Sequence, residues 1–511
     1  MERFNDWKAP EIENGKLTKW NWMVQGKEGL KLGTKVDIGA FCYINAKYSV
    51  EIGDDVQIGS HTSIYSESTI DGKKGKVVLK KNARLGSHCT VMPGITIGEN
   101  SIVGAHSFVN KDIPANVVAV GVPAKVVREI KPLVPVKRGV PLSMPAIGEE
   151  EIKAVTGVLK SGRLSLGPKT EEFERLFAQA VGTRYAAAVN SGTSGLHLAV
   201  RALGVTEGDE VITTPFSFIA SANCILFEKA IPVFVDVDEK TFNIDPAAIE
   251  EKITPKTKAI LIVHVFGQSC DMEKIMELAM KYNLPVIEDA CESILATYQG
   301  KPVGSFGDVA VFAFYPNKQM TTGEGGMVVT NDTKIYEYCK SAANQGRGDN
   351  LQWLTHDKLG YNYRLDEMSA ALGVEQLKKL PQFIHIRQAK ATHYMNLLRE
   401  VQGITLPYTD LHCNHTWFVF PIQVDEKIRN RVIAALHERG IGSKAYFSPA
   451  IHLQQFYQET FGYQEGDFPV TEKLSKTILI LPFYTNITDE EMMYVAESLK
   501  EILVMLGNEV Q

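Results

Sequence analysis

The sequence lacks the features of a membrane, nucleic-acid-binding or disulfide-stabilised protein. No apolar run is long enough to cross a membrane, and the stretch MERFNDWKAPEIENGK has no apolar signal core. The formal net charge is −6, whereas a nucleic-acid-binding protein usually carries a basic face. No CxxC pair occurs among the seven cysteines, at positions 42, 89, 224, 270, 291, 339 and 413. We therefore expect a cytoplasmic protein with reduced thiols, and no metal site, membrane segment or nucleic-acid partner.

The first part of the chain contains a repeat of six residues. A period of six fits neither an amphipathic helix nor a two-faced hairpin strand, and it is typical of a β-helix built from hexapeptides. Glycine directly follows many of the apolar residues, and the stretch DGKKGKVV is interpreted as an insertion. The sequence predicts a thin stacked core from the apolar positions, which are Leu32, Ile38, Ile44, Ile52, Ile58, Ile64, Ile70, Leu79, Leu85, Val91, Ile97, Val103 and Val109.

From about residue 27 to residue 130, this repeat resembles the left-handed parallel β-helix acyltransferases, including the exit sequence NVVAVGVPAKVVREI. The resemblance implies a trimer that binds acetyl-CoA between neighbouring subunits and uses a histidine base to acylate an amine or hydroxyl. His61, His88 and His106 are the candidates, and each alone could equally be a solvated surface residue. His88 and His106 are one coil apart and should share a face, whereas His61, before the insertion, should lie on another. We rank His61 and His88 first, because both occur in GSH followed by small hydroxyl or thiol residues.

Lysines are frequent in and beside the insertion, at positions 73, 74, 76, 80 and 81. A solvated loop is one interpretation of such a run. The other is a contact with the phosphates of coenzyme A.

The pattern changes after the stretch KPLVPVKRGVPLS, residues 131–143, which we interpret as a linker. Beyond it, helical patterns ending in glycine alternate with short buried strands such as YAAAVN, AILIVHVFG and VAVFAFY. This alternation favours an open, mostly parallel α/β sheet, in which ligands bind beyond the carboxyl ends of the strands. The predicted domains are a β-helix over 1–130 and an α/β domain over 144–511.

Three loops of the second part carry complementary chemistry. Gly192 and Thr193 begin a helix, where free amides form a phosphate cradle or merely an ordinary helix start. Asp289 ends a buried strand and could pair with a pyridine nitrogen or cap the next segment. Lys318 precedes TTGEGG and is either a solvated lysine or a reactive amine. Together they suit pyridoxal phosphate (PLP), with Lys318 as its Schiff-base lysine and as the acid and base that moves the substrate proton.

Residues 144–511 resemble the DegT/StrS family of fold-type-I, PLP-dependent sugar-nucleotide aminotransferases. The stretches that carry the resemblance are TTPFSFIASAN, EDACES, FYPNKQMTTGEGG, LGYNYRLDEMSAALG and YFSPAIHLQQFY. It implies a small C-terminal α+β subdomain, Phe218 stacked on the cofactor ring, and Asn362 reaching the phosphate in the neighbouring subunit. Without the resemblance, Phe218 would be taken as a core aromatic and Asn362 as a turn residue. The chain departs from many members at Ala313, where they have serine, and at Glu292, a predicted cofactor contact where they have glutamine or histidine.

The sequence thus predicts a bifunctional enzyme of amino-sugar synthesis. The C-terminal part would move an amino group, from glutamate, to a nucleotide-linked keto-deoxy sugar, of the 4-keto-6-deoxy type, and the β-helix would acylate the new amine. Two alternatives stay open: an aminotransferase whose β-helix is only a trimerising scaffold, and a PLP-binding regulator without turnover. A trimeric β-helix joined to an obligate dimer must close into a hexamer or a larger assembly.

Overall fold

The computed structural model describes residues 8–129, 139–348 and 355–508. The chain divides into two compact units, Met1–Val136 and Lys137–Gln511. Of the predicted linker, residues 131–138 lie outside the described residues, while Val140 forms a parallel bridge with Ile441 inside the second unit. In the described ranges, no helix combines the length and apolar character that crossing a membrane requires.

The first unit is a parallel β-helix, as the hexapeptide pattern predicts. Three sheets run along it, in the strand orders β1-β4-β7-β10-β13, β11-β8-β5-β2 and β15-β14-β12-β9-β6-β3. Pairing is parallel except for β15, which returns antiparallel to β14. The strands are β1 (Met23–Gln25), β2 (Leu30–Leu32), β3 (Asp37–Ile38), β4 (Tyr43–Asn45), β5 (Val50–Ile52), β6 (Gln57–Ile58), β7 (Ser63–Tyr65), β8 (Val77–Leu79), β9 (Arg84–Leu85), β10 (Thr90–Val91), β11 (Thr96–Ile97), β12 (Ile102–Val103), β13 (Phe108–Val109), β14 (Val117–Val120) and β15 (Lys125–Glu129).

The repeated apolar residues stack from coil to coil in the core. In the first sheet, Ile64 lies opposite Ile44 on one side and Val91 on the other, and all three are fully buried. Burying each such side chain stabilises the fold by about 1.5–3 kcal/mol. The glycine that follows many of them allows close stacking, because a Cβ at Gly59 would lie 2.4 Å from the amide nitrogen of Ser87 in the next coil.

Two details of the predicted repeat are wrong. Ile70 is 98% exposed, so it does not belong to the core. The insertion occupies residues 66–76, between β7 and β8, rather than 71–78, and Val77 and Val78 already lie in β8. Ile70 therefore lies within the insertion, where no neighbouring coil covers it. Leu32, at the start of the repeat, is half-buried against the core.

The second unit contains the predicted mostly parallel α/β sheet. Its seven strands run in the order β16-β24-β23-β20-β19-β17-β18, and β24 alone is antiparallel to its neighbours. The strands of the unit are β16 (Tyr185–Val189), β17 (Glu210–Thr213), β18 (Ile231–Phe234), β19 (Thr257–Val263), β20 (Val286–Asp289), β21 (Thr297–Tyr298), β22 (Lys301–Pro302), β23 (Val309–Ala313), β24 (Gly326–Thr330), β25 (Ile404–Thr405), β26 (Cys413–Asn414), β27 (Phe420–Val424), β28 (Lys444–Ala445) and β29 (Ile478–Leu481).

Helices cover the sheet and build a smaller C-terminal layer. The short sheet β25-β27-β29-β28 shares a hydrophobic core with the end of α8, α9 and α12, which gives the predicted α+β subdomain. The helices are α1 (Glu149–Ser161), α2 (Pro168–Val181), α3 (Gly192–Ala202), α4 (Ala220–Leu226), α5 (Pro246–Ile249), α6 (Met272–Tyr282), α7 (Thr333–Ala343), α8 (Glu367–Leu398), α9 (Glu426–Glu438), α10 (Gln455–Phe461), α11 (Pro469–Thr477) and α12 (Asp489–Asn508).

Candidate active site

The turn between β16 and α3 fits tightly against its neighbours. Ser191 caps α3, its Oγ accepting a hydrogen bond of 3.1 Å from the amide three residues on. A Cβ at Gly192 would lie 2.8 Å from the Cβ of Ala313 and 3.1 Å from the Sγ of Cys291, so only glycine fits without a shift. The amides of Gly192 and Thr193 belong to the first turn of the helix and have no partner within it. They can therefore bind an anion.

Asp289 lies at the carboxyl end of β20, with 5% of its surface exposed. Its Oδ2 accepts a hydrogen bond of 2.7 Å from Ser221 Oγ, and its Oδ1 accepts one of 3.2 Å from the amide of Cys291. Ser221 is bonded in turn to the hydroxyl of Ser217 at 2.8 Å. A buried carboxylate with a fixed orientation thus stands at the sheet edge where ligands bind.

Lys318 lies on the loop between β23 and β24, and its side chain is 13% exposed. Its Nζ is 3.5 Å from Glu292 Oε1 and 3.9 Å from the ring centroid of Phe418. Next to it, the Oδ1 of Asn317 is buried without a hydrogen-bond partner in the described part of the chain. The alternative of a solvated surface lysine is therefore wrong for this side chain.

Glu292 is buried beside that lysine. Its Oε2 accepts a hydrogen bond of 2.9 Å from the amide of Phe266, and its carbonyl accepts one from the side chain of Gln319 at 2.5 Å. Burial raises the pKa of the Glu292 carboxyl, and the positive charge of Lys318 opposes that rise. Gly192, Asp289, Glu292 and Lys318 are thus brought together at one edge of the sheet, with Cys291 between them.

Phe218 and Asn362, unlike Asp289, Glu292 and Lys318, are exposed in this chain. Phe218 is 64% exposed, so the alternative of a core aromatic is wrong. Asn362 is exposed, and its backbone carbonyl accepts a hydrogen bond of 3.3 Å from the side chain of Asn190, which precedes the α3 turn of the same chain. The backbone N–H of Asn190 also donates a hydrogen bond of 2.8 Å to the backbone carbonyl of Tyr363.

Sequence reasoning missed the aromatic and hydroxyl neighbours of these residues. Phe266 lies in a short 3-10 turn just after β19, within the quoted run AILIVHVFG, and Phe418 lies just before β27, but neither was identified as a site residue. Ser217 and Ser221 were visible in the stretch PFSFIAS, where a spacing of four places two hydroxyls on one side of a helical turn.

The three histidines of the β-helix form one stack. The rings of His61 and His88 lie 4.6 Å apart and those of His88 and His106 lie 4.8 Å apart, nearly parallel in both cases, and all three side chains are exposed. Phe41 extends the stack beyond His61, at 5.1 Å. The prediction that His61 lies on a different face is therefore wrong. The insertion leaves and re-enters within one coil, so it adds residues between His61 and His88 without adding a face.

The lysines around the insertion fall into two groups. Three form ion pairs: Lys73 with Asp71, Lys74 with Glu67 and Lys76 with Glu51. Lys80 and Lys81, together with Lys31, line an open groove of about 650 Å³ along the second sheet of the β-helix.

Comparison with known proteins separates the same two parts. The family model of the DegT/DnrJ/EryC1/StrS aminotransferases matches residues 145–500, and that of the bacterial transferase hexapeptide (six repeats) matches residues 76–111. The chain is 40% identical over 377 residues to the spore coat polysaccharide biosynthesis protein SpsC of Bacillus subtilis, covering 71% of this chain and 97% of the relative. It is 38% identical over 368 residues to a GDP-perosamine synthase of Escherichia coli O157:H7, covering 71% and 98%.

Among solved structures, PseC of Helicobacter pylori, an aminotransferase involved in the biosynthesis of pseudoaminic acid, superimposes with a TM-score of 0.69. It is 31% identical and covers 72% of this chain and the whole of PseC. The chain belongs to the DegT/DnrJ/EryC1/StrS aminotransferase family, and it carries a hexapeptide-repeat β-helix before its aminotransferase part.

Proposed function

We propose that residues 144–511 transfer an amino group to the keto group of a nucleotide-linked deoxy sugar, with PLP as cofactor. The observation that carries the proposal is the meeting of a largely enclosed lysine side chain, 13% exposed, a buried carboxylate and the start of α3 at the carboxyl edge of the sheet. These are the groups that a pyridine ring with an aldehyde and a phosphate requires. The names of two relatives, a GDP-perosamine synthase and an aminotransferase of pseudoaminic acid biosynthesis, support a sugar substrate.

The residues present fit PLP. Gly192 and Thr193 would hold the phosphate with their amides, and Asp289 would keep the ring nitrogen protonated. Lys318 would hold the aldehyde carbon, and the exposed ring of Phe218 would cover the pyridine face. When bound, PLP supplies an electron sink for the bond that breaks at the substrate carbon. Lys318 would take the proton from that carbon and deliver it to the carbon that was the aldehyde, on the other side of the nitrogen.

The amino donor in this proposal is glutamate, and the acceptor is a 4-keto-6-deoxy sugar. Asn362 would reach the phosphate held in a neighbouring subunit, which makes the site a property of a dimer. A dimer of this unit and a trimer of the β-helix close together as a hexamer. Light scattering on the purified protein tests this assembly, because a stable monomer or dimer would contradict it.

For residues 1–130 we propose acylation of the new amine with acetyl-CoA. His61 and His88 are the base candidates, and their exposed stack leaves the ring edges open to an acceptor. Lys80 and Lys81, which line the groove, could bind phosphates of coenzyme A. Keeping two consecutive steps in one chain raises the local concentration of the intermediate.

A scaffold without acyl transfer is the second candidate for the β-helix. It is favoured by the ion pairs of Lys73, Lys74 and Lys76, which neutralise three of the lysines that could attract coenzyme A. Single replacements of His61, His88 and His106 by alanine separate the two candidates. Loss of acetyl transfer in one variant supports catalysis, and its absence from the parent protein supports the scaffold.

The decisive experiment is mass spectrometry on a panel of nucleotide-linked keto sugars incubated with PLP and glutamate, with and without acetyl-CoA. We expect an amino sugar in both conditions, and its acetylated form only with acetyl-CoA. The variant Lys318→Ala should form neither. No amination of any sugar by a protein with bound cofactor would contradict the proposal and favour a PLP-binding regulator.

A further inference from the structure

Glu292 and Asp289 are two buried carboxylates with different partners. Both oxygens of Asp289 accept hydrogen bonds from neutral groups, the Ser221 hydroxyl and the amide of Cys291. Glu292 binds the amide of Phe266 through Oε2 and presents Oε1 to the Nζ of Lys318. In the part of the chain that the structure describes, this carboxylate is the hydrogen-bonding partner of the lysine amine.

The backbone is strained at Phe266, whose amide donates a hydrogen bond to Glu292. Phe266 adopts φ +59° and ψ 8°, a left-handed conformation that bulky residues rarely adopt, and its side chain is buried. Gly267 follows with φ +106°. The result of this turn is that the amide of Phe266 donates to Glu292. Strain of this kind persists where the surrounding structure fixes it and is concentrated at functional sites.

We propose that Glu292 is the counter-ion of Lys318 and strengthens this lysine as a base. The inference rests on the proposed function, in which Lys318 takes a proton from the substrate carbon. When bound, PLP would supply the electron sink for the pair released as the C–H bond breaks, and Lys318 would gain the proton as a new N–H bond and become an ammonium ion. In the structure the Nζ of Lys318 lies 3.5 Å from Glu292 Oε1, and a carboxylate so close to an amine stabilises its ammonium form.

The groups around Glu292 act on its charge in opposite directions. Burial raises the pKa of Glu292, and Asp289 adds to the rise, while Lys318 and the hydrogen bond from Phe266 lower it. Tyr446, a further titratable group near Glu292, has its pKa raised by burial and by Glu292, so it stays neutral. Cys291 also stays neutral, because burial raises its pKa. Among the residues that the structure describes, Lys318 is thus the cation that faces this carboxylate. A glutamine, which many members of the family have at this position, would occupy similar space but carry no charge.

The test compares the protein with its Glu292→Gln variant. Glutamine keeps the shape and can still accept from the Phe266 amide, but it cannot stabilise an ammonium by charge. The first readout is covalent capture of PLP by Lys318, trapped with borohydride at a series of pH values and read as peptide mass. Because imine formation needs the neutral amine, we expect the pH midpoint of capture to fall by about one unit, a tenfold change in proton affinity. The second readout is a single turnover with glutamate, which should slow about tenfold.

A matched control is Glu207→Gln, which removes the same charge from an exposed pair with Lys229 at 3.0 Å. Its capture midpoint should equal that of the parent. An unchanged midpoint in folded Glu292→Gln would overturn the inference. If Glu292→Gln does not fold, Glu292→Asp provides the test. Because its carboxylate is on a shorter side chain, its capture midpoint should lie between that of the parent and the value expected for Glu292→Gln. A midpoint equal to that of the parent overturns the inference. Failure of the parent to capture PLP at any pH would instead overturn the proposed function, and the inference with it.

Discussion

Replacing Gly192 by alanine tests whether the turn before α3 is shaped for a phosphate. The new Cβ would lie 2.8 Å from the Cβ of Ala313, about 0.6 Å closer than ordinary van der Waals contact at 3.4 Å. The neighbouring atoms belong to Ala313 on strand β23 and to the short side chain of Cys291, and neither can move aside as the end of a long side chain can. Overpacking of this kind costs about 1–3 kcal/mol. We expect Gly192→Ala to lower the free energy of unfolding by that amount and to weaken PLP binding at least about tenfold.

The control is Gly157→Ala, in the middle of α1, where a Cβ meets nothing within 4 Å. Alanine is preferred over glycine inside a helix by about 1 kcal/mol, so this variant should be more stable than the parent and bind PLP equally well. The same substitution is thus expected to have opposite effects at the two positions. Urea unfolding and a fluorescence titration with PLP measure both quantities.

A double variant tests whether a steric clash causes the loss of PLP affinity in Gly192→Ala. Adding Ala313→Gly to Gly192→Ala removes the nearer of the two clashing atoms, so it should restore part of the lost PLP affinity, although glycine weakens strand β23. Parent-like PLP affinity in Gly192→Ala would refute the assignment of the turn to phosphate binding. A loss of affinity that Ala313→Gly does not relieve would refute the steric explanation.

Two further predictions concern stability. Ile64→Ala should destabilise the β-helix by about 2–5 kcal/mol, because Ile64 is fully buried. Ile70→Ala should change stability by less than about 0.5 kcal/mol, because Ile70 is 98% exposed. Equal effects of the two variants in urea unfolding would contradict the corrected position of the insertion. Glu367→Gln should cost about 1–3 kcal/mol at pH 7, because the Glu367 carboxylate accepts hydrogen bonds from the amides of Lys169 and Thr170 at the start of α2. Burial alone would raise the pKa of Glu367, but these hydrogen bonds and that of the Thr170 hydroxyl lower it. The contribution of Glu367 to stability is therefore fully present above the pKa of the unfolded state and is lost as the pH falls through the pKa of the folded state. The difference between parent and variant should therefore shrink below about pH 4, and a constant difference would contradict this assignment.

The β-helix could be predicted because each coil repeats the same local requirements. An apolar residue must point inwards and a glycine must let the next coil approach, and both signals recur in the sequence. The errors arose where the repeat breaks. The position of a loop such as residues 66–76 is set by the pairing of β7 with β10 and of β8 with β5, not by counting residues. Such pairing connects residues that are distant in the sequence. The face of the β-helix on which His61 lies therefore could not be predicted from the number of residues between His61 and His88.

In the second unit, the parallel strands and the edge where they end were predictable from their apolar runs. The meeting of residues near 192, 289 and 318 followed from that topology, and the structure places Gly192, Asp289 and Lys318 at one edge. Their assigned roles stay predictions. The contact of Glu292 with Phe266 was not predictable, since it depends on a backbone conformation that the propensity of phenylalanine disfavours. The antiparallel strand β24 was also missed, because its short run GMVVT follows directly on a glycine-rich loop.

The position of β24 has a consequence for how the site can vary. This strand lies between β16, which leads to Gly192, and β23, which leads to the lysine loop, and it is paired with both along five residues. Gly326, its first residue, is so close to the turn that a Cβ there would lie 2.7 Å from the carbonyl carbon of Ser191. The position of both ends of the lysine loop relative to the turn at Gly192 is therefore set by strand register, and residues 314–325 span these two fixed ends. Changes of length or sequence in that span would move Lys318 while the turn at Gly192 kept its position.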